Sequence, residues 1–210
     1  MKIMLVVAAV MFVVTAAYAD VPRADRPVWS VGDTWTYQTT DAEGQIGERT
    51  NTVVKIEPFN GATAYFVSFT GIKELSVFDE DINVVAFVDP ASGAVVGERQ
   101  GLRYWSWPLE VGMTWAYSGT QTVGGRTTSV QATVSVEAYE DLTVPAGAFG
   151  AFRVVVRSRV TTPEGRKFDQ TETNWWAPAA GNSVKYSRTT STTGFRESRE
   201  LVRFTFAGAK

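Results

Sequence analysis

Apolar and polar side chains alternate without a break between residues 128 and 137. Thr128, Val130, Ala132, Val134 and Val136 form one set, and Ser129, Gln131, Thr133, Ser135 and Glu137 form the other. A period of two puts successive side chains on opposite faces, so this segment predicts a strand with one buried side. Phe152, Val154, Val156 and Val160 oppose Arg153, Arg157 and Arg159 in the same way. Earlier in the chain, Tyr65-Val67-Phe69 and Ile82-Val84-Ala86-Val88 predict two more strands. Turn chemistry separates these runs at Asp41-Ala42-Glu43-Gly44, Asn60-Gly61, Gly124-Gly125, Pro163-Glu164-Gly165 and Gly181-Asn182. No helical pattern of ten or more residues follows residue 19. The expected class is all-β, an antiparallel meander of about ten strands.

The pattern also recurs. Val31-Gly32-Asp33-Thr34-Trp35-Thr36-Tyr37 returns as Val111-Gly112-Met113-Thr114-Trp115-Ala116-Tyr117, identical at five of seven positions. Pro90-Ala91-Ser92-Gly93 is echoed by Pro178-Ala179-Ala180-Gly181. Between them, Val53 to Glu57 is matched with Val134 to Glu137, and Tyr65 to Phe69 with Phe152 to Val156. Residues 144–150 read as a loop with no counterpart in the first copy. Ordered anchors of this kind point to a tandem duplication of a unit of roughly 85 residues. Repeat one covers about residues 27–103 and repeat two about 107–206. Residues 101–108 are too aromatic for a flexible linker, so residues 20–210 are expected to form one domain. Native twist curls a sheet of this size, and the expected form is a barrel or an open half-barrel.

The first nineteen residues follow a different logic. Lys2 precedes an uncharged apolar run at residues 3–17, and Ala17-Tyr18-Ala19 ends it before Asp20. This is the order of a secretory signal peptide, with cleavage expected between Ala19 and Asp20. The run is shorter than the roughly 20 residues that span a bilayer. With no later apolar span, the mature chain is expected to be secreted or periplasmic, without a transmembrane segment.

The composition excludes several chemistries. There is no Cys and no His among the 210 residues. That removes disulfides, thiol nucleophiles, lipidation of an N-terminal Cys, the Ser-His-Asp triad and the usual zinc sites. Residues 20–106 carry 7 basic and 13 acidic side chains, and residues 107–210 carry 12 and 9. The resulting net charge of −3 argues against a nucleic-acid partner, whose binding needs phosphate neutralisation.

Three strings carry a family resemblance: Val-Gly-x-Thr-Trp-x-Tyr, then Leu142-Thr143-Val144-Pro145-Ala146-Gly147-Ala148-Phe149, then Trp175-Trp176-Ala177-Pro178-Ala179-Ala180-Gly181-Asn182-Ser183-Val184-Lys185. In this order they resemble the TapB-like group of secreted bacterial β-proteins, most clearly over residues 107–206. The resemblance implies an envelope or secreted location and a curved β-sheet distantly similar to lipoprotein-carrier half-barrels. It supplies no catalytic residues.

Candidate sites follow from the rings and the charges. Trp35, Tyr37, Trp115 and Tyr117 share a strand face within each pair, while the adjacent Trp175 and Trp176 face opposite ways, with Trp176, along with Trp175, the better candidate for an exposed ring. These six either fill the core or line a site for a small apolar or amphiphilic ligand. Arg153, Arg157 and Arg159 form a basic stripe. It either docks an envelope protein or anionic surface, extended by Arg199 and Arg203, or pairs with Glu197, Glu200 and Glu172 on neighbouring strands. The acidic run Asp79-Glu80-Asp81 lacks the spacing of a calcium loop, so no metal site is assigned. No cofactor is expected. A polysaccharide-acting enzyme would need an exposed carboxylate pair in a groove; no pair stands out, Glu137 with Glu172 included, so catalysis is not expected.

Overall fold

The computed structural model describes residues 22–191 and 196–208, and the predicted leader at residues 1–19 lies outside them. Among the described residues every regular element is a strand except one 3-10 turn at Pro178–Ala180. A two-residue strand, β1 (Arg23–Ala24), is followed by β2 (Thr34–Thr40), β3 (Ile46–Phe59), β4 (Ala62–Phe69), β5 (Leu75–Phe78), β6 (Val84–Val88) and β7 (Val95–Gln100). A second short strand, β8 (Leu109–Glu110), precedes β9 (Thr114–Val123), β10 (Arg126–Val144), β11 (Gly147–Thr161), β12 (Lys167–Ala177), β13 (Asn182–Thr190) and β14 (Arg196–Thr205). Twelve of these strands close an antiparallel barrel, and β1 pairs with β8 beside it.

The all-β meander is as expected, and the barrel is closed rather than open. Twelve strands close it, against the roughly ten expected. The two without a clean alternation in the sequence are short: β5 has four residues and β7 six. Neighbours on both sides hold them by backbone pairing, which needs no side-chain pattern.

Both halves enter the barrel by the same device. Gly32 and Gly112 have φ of 95° and 93°, a region open to glycine. Their N–H groups donate to the carbonyls of Val53 and Val136, whose own N–H groups donate to the carbonyls of Asp33 and Met113. A bulge follows at once in each half, between Val53 and Lys55 and between Val136 and Ala138. Val53 therefore occupies the place of Val136, two residues beyond the match with Val134 read from the sequence. Tyr65 and Phe152 do hold corresponding places, through the pairs Val53–Val67 and Val136–Val154. The two Pro-Ala-x-Gly strings do not. Pro90 to Gly93 sits in the β6–β7 turn, and Pro178 to Gly181 sits at the other end of the barrel, between β12 and β13. Residues 147–150 are not loop but the start of β11, paired with residues 141–144 across the tight turn at Pro145-Ala146.

The core lies inside the barrel and includes Trp35, Val53, Val67, Val134, Val136, Phe152, Val154, Val156, Trp176, Val184 and Leu201. One end is plugged by the segments before β2 and between β7 and β9. Trp29 packs on Trp35, Tyr65 and Phe78 at 5.2–5.5 Å between ring centres. Trp105 and Trp107 stack on each other and meet Trp176 edge-on at 4.9 and 5.1 Å. The Asn83 side chain fastens this plug, accepting from the Trp105 N–H (2.8 Å) and donating to its carbonyl. Asp33 is buried and accepts from the backbone N–H groups of Ser30 and Ala207, tying the entry to the C-terminal tail. These contacts make residues 101–108 part of the core.

Candidate functional site

Beyond the plug the barrel interior is only partly filled. A cavity of about 460 Å³ lies against the plug, bordered by Trp29, Trp35, Phe69, Phe78, Trp105 and Trp176 on its aromatic side. Its remaining wall is polar and charged, formed by Arg49, Asn51, Arg99, Glu172, Arg188, Glu197 and Arg199.

Strand phase explains how charged side chains come to face inward. On β12, Glu172, Asn174 and Trp176 share a face, as do Val184, Tyr186 and Arg188 on β13 and Glu197, Arg199 and Leu201 on β14. Trp176, Val184 and Leu201 are fully buried inside the barrel and carry the others in with them. On β3, Val53 does the same for Asn51 and Arg49, which pair with Trp35 and Tyr37. Apolar residues thus fill the plugged end, and two or four positions along each strand the same face turns polar.

Four guanidiniums share this wall with two carboxylates. Glu197 accepts from Arg188 at 2.6 Å and lies 3.7 Å from Arg199. Glu172 is buried and accepts from the Gln170 amide. Burial pushes its carboxyl above the usual range, against the attraction of Arg188, Arg199 and Arg99. Arg99 donates to the Gln121 side chain at 2.7 Å and lies over Phe87. Arg199 stacks on Tyr186 at 4.0 Å and Arg49 on Phe69 at 5.2 Å. No carboxylate among the described residues lies within ion-pair distance of Arg49. Desolvation, with repulsion from Arg199, pushes its guanidinium down to about 10. Its buried Nε and the Oδ1 of Asn51 have no hydrogen-bond partner in the protein. Burial also raises the Tyr37 and Tyr186 phenols well above their ordinary range, so both stay neutral.

The six candidate rings divide. Trp35, Tyr37 and Trp176 line the cavity. All three are buried; Trp176 is only 1% exposed, in contrast to the exposed ring expected, because the plug tryptophans cover it. The Trp35 indole donates to the Ala180 carbonyl (2.7 Å), the Tyr37 hydroxyl to that of Ser183 (2.9 Å) and the Trp29 indole to that of Gly181 (3.0 Å). The Val-Gly-x-Thr-Trp-x-Tyr and Ala-Ala-Gly-Asn-Ser strings therefore meet in space. Tyr117 stands behind Tyr104 at 5.4 Å and borders a shallower depression. Trp115 and Trp175 are half-buried outside the cavity, donating to the Arg103 carbonyl (2.9 Å) and to Glu140 (2.7 Å).

The basic stripe occupies the outer surface and is paired, though not with the acids expected. Arg153 lies 3.7 Å from Glu140 and 3.9 Å from Glu137, Arg157 donates to Glu137 at 2.9 Å, and Arg159 holds Asp169 with two bonds of 2.8 and 3.0 Å. Glu172 and Glu197 face the interior, and Glu200 pairs with Lys185. Arg199 does not extend the stripe. A bulge between Leu201 and Arg203 reverses the strand phase, so Arg203 reaches Glu48 outside while Arg199 stays inside. Glu137 and Glu172 lie on opposite faces of the sheet and cannot act on one bond. Asp79 caps its own turn by accepting from the Asn83 N–H, while Glu80 and Asp81 meet Arg26.

The chain matches no protein-family model and no curated protein, so the TapB-like resemblance rests on its quoted strings. Solved structures share the fold. A candidate lipoprotein from Parabacteroides distasonis superposes with a TM-score of 0.56 at 10% identity, covering 87% of this chain and 99% of its own. A candidate exported protein with a YmcC-like fold from Bacteroides fragilis gives 0.54 at 13% identity, again over 87% and 99%. At these identities the likeness is one of fold: the described chain is a closed β-barrel of YmcC-like architecture.

Proposed function

We propose that this chain is an exported, non-enzymatic barrel protein of the cell envelope that binds or carries a small apolar or amphiphilic ligand in its interior. The observation that carries this reading is the cavity of about 460 Å³, walled by aromatic rings at a plugged end. That volume falls among pockets that take one small ligand, and its wall is aromatic on one side and charged on the other, a lining suited to a molecule with both characters. Export is supported by the leader pattern and by the exported and lipoprotein descriptions of the fold neighbours. A second reading, a structural or protein-docking module, is favoured by the valines and Phe152 that fill the β10–β11 side of the barrel.

Native mass spectrometry of gently purified protein separates the two. The carrier reading expects a retained small molecule, or after delipidation a saturable calorimetric titration with dodecanol, dodecanoate or dodecyl phosphate. A clean apo mass with no heat from any of these three would overturn it in favour of the docking module.

A further inference from the structure

We infer that the ligand carries an anionic head group, a carboxylate or a phosphate, held at the Arg49–Arg199 side of the cavity with its apolar portion against the partly buried rings of Phe69, Phe78 and Trp105. This rests on the carrier reading and adds the head-group chemistry to it.

Charge balance gives the first reason. The cavity gathers Arg49, Arg99, Arg188 and Arg199 but only Glu172 and Glu197. The acids are already engaged: Glu197 is shared between Arg188 and Arg199, and Glu172 takes the Gln170 amide. At least two positive charges are left over among partly buried guanidiniums. Two like charges held near each other in such a site repel, and a bound anion relieves both the repulsion and the lost hydration.

Orphaned polar atoms give the second reason. The Arg49 Nε is buried without an acceptor, and no carboxylate among the described residues pairs with the group. A guanidinium presents several donors in a rigid fork that suits carboxylate and phosphate oxygens. Stacking on Phe69 holds the Arg49 fork in place without using its donors. Asn51, on the same inward face and with a free Oδ1, would accept from a protonated oxygen or hydroxyl of the head group.

The position of these groups selects an amphiphile over a small free anion. Arg49 pairs across the β2–β3 ladder with Tyr37, and Asn51 with Trp35. Arg49 also lies over Phe69, a partly buried ring of the cavity wall, so the charged sector runs directly into the ring-lined side, and a molecule reaching both must be charged at one end and apolar at the other.

Calorimetric titration of delipidated full-length mature protein tests this with four probes: dodecanoate, dodecyl phosphate, dodecanol and inorganic phosphate. Dodecanoate or dodecyl phosphate should bind roughly tenfold or more tightly than dodecanol, the worth of one charge-assisted hydrogen bond. Arg49→Gln should weaken the anionic probes by roughly the same factor and leave dodecanol unchanged, while Arg49→Lys should recover part of the loss. Circular dichroism melts check that both variants fold. Should Arg49→Gln fail to fold, the comparison of dodecanoate with dodecanol on the unaltered protein decides alone. Dodecanol binding as well as dodecanoate, or a folded Arg49→Gln protein with undiminished dodecanoate affinity, would overturn the head-group assignment and leave the carrier reading standing. Inorganic phosphate binding as tightly as dodecyl phosphate would overturn the amphiphile in favour of a free-anion site. Silence from all four would remove the carrier reading as well.

Discussion

At the scale of single residues, the same sequence string produces unequal side chains. Trp35 and Trp115 occupy matching places in Val-Gly-x-Thr-Trp-x-Tyr, yet Trp35 is fully buried with its indole bonded inside the barrel, and Trp115 is half-buried against the joint segment. The difference comes from what lies over each ring: Trp29 and Phe206 pack against Trp35, whereas Trp115 meets the backbone of Arg103. Truncation should therefore be asymmetric. Trp35→Ala is expected to cost about 3–5 kcal/mol, as for large rings removed from a packed core. Trp115→Ala should cost about 1–2 kcal/mol, in proportion to the apolar area it hides. Urea melts of both variants measure this, and equal losses would mean that the two rings do the same work.

At the scale of elements, closure depends on the seam between β7 and β9, where the two halves of the meander meet. Gly119 makes that seam possible. A Cβ at this position would fall 2.1 Å from the Gln100 carbonyl oxygen and 2.8 Å from the Gly101 carbonyl carbon, with backbone on both counts. Any side chain must push β7 off its partner. Gly119→Ala should lie at the upper end of the roughly 1–3 kcal/mol typical of overpacking. Amide exchange should quicken at residues 97–100 and 119–123, and the long β10–β11 hairpin should remain protected. Unchanged exchange at the seam would show that closure does not depend on this close approach.

At the scale of the whole molecule, the barrel is one body made of two similar courses, β1–β7 and β8–β14. They are joined at two seams and by the small β1–β8 pairing. A duplication reading and a single-domain reading make one shared prediction. Residues 22–106 and 107–208 expressed separately would each leave two unpaired edges and half of a ring-filled interior. Each half alone should fail to give a dispersed amide spectrum, and the two together should restore it. A folded, monomeric half would show that each repeat carries its own core and would dissolve the single barrel as the unit.

The alternation of Val130 to Val136 and of Phe152 to Val156, with glycine-bearing turns between such runs, was enough to determine strand identity, antiparallel order and a curved all-β body, because a period of two and local turn chemistry are properties of neighbouring residues. The shared strand face within each Trp-x-Tyr pair was legible for the same reason. The lining of the cavity was not. Arg49, Glu172, Arg188 and Arg199 look like surface residues in any local window. Only the register that ties them to Trp35, Trp176, Val184 and Leu201, together with a bulge at Leu201 that separates Arg199 from Arg203, turns them inward. The partners of the Arg153–Arg159 stripe were out of reach likewise, since they depend on which strands lie side by side. Local pattern determined the strands. Closure of the barrel decided which of their charges would lose water and face one another, and the candidate site consists of those charges.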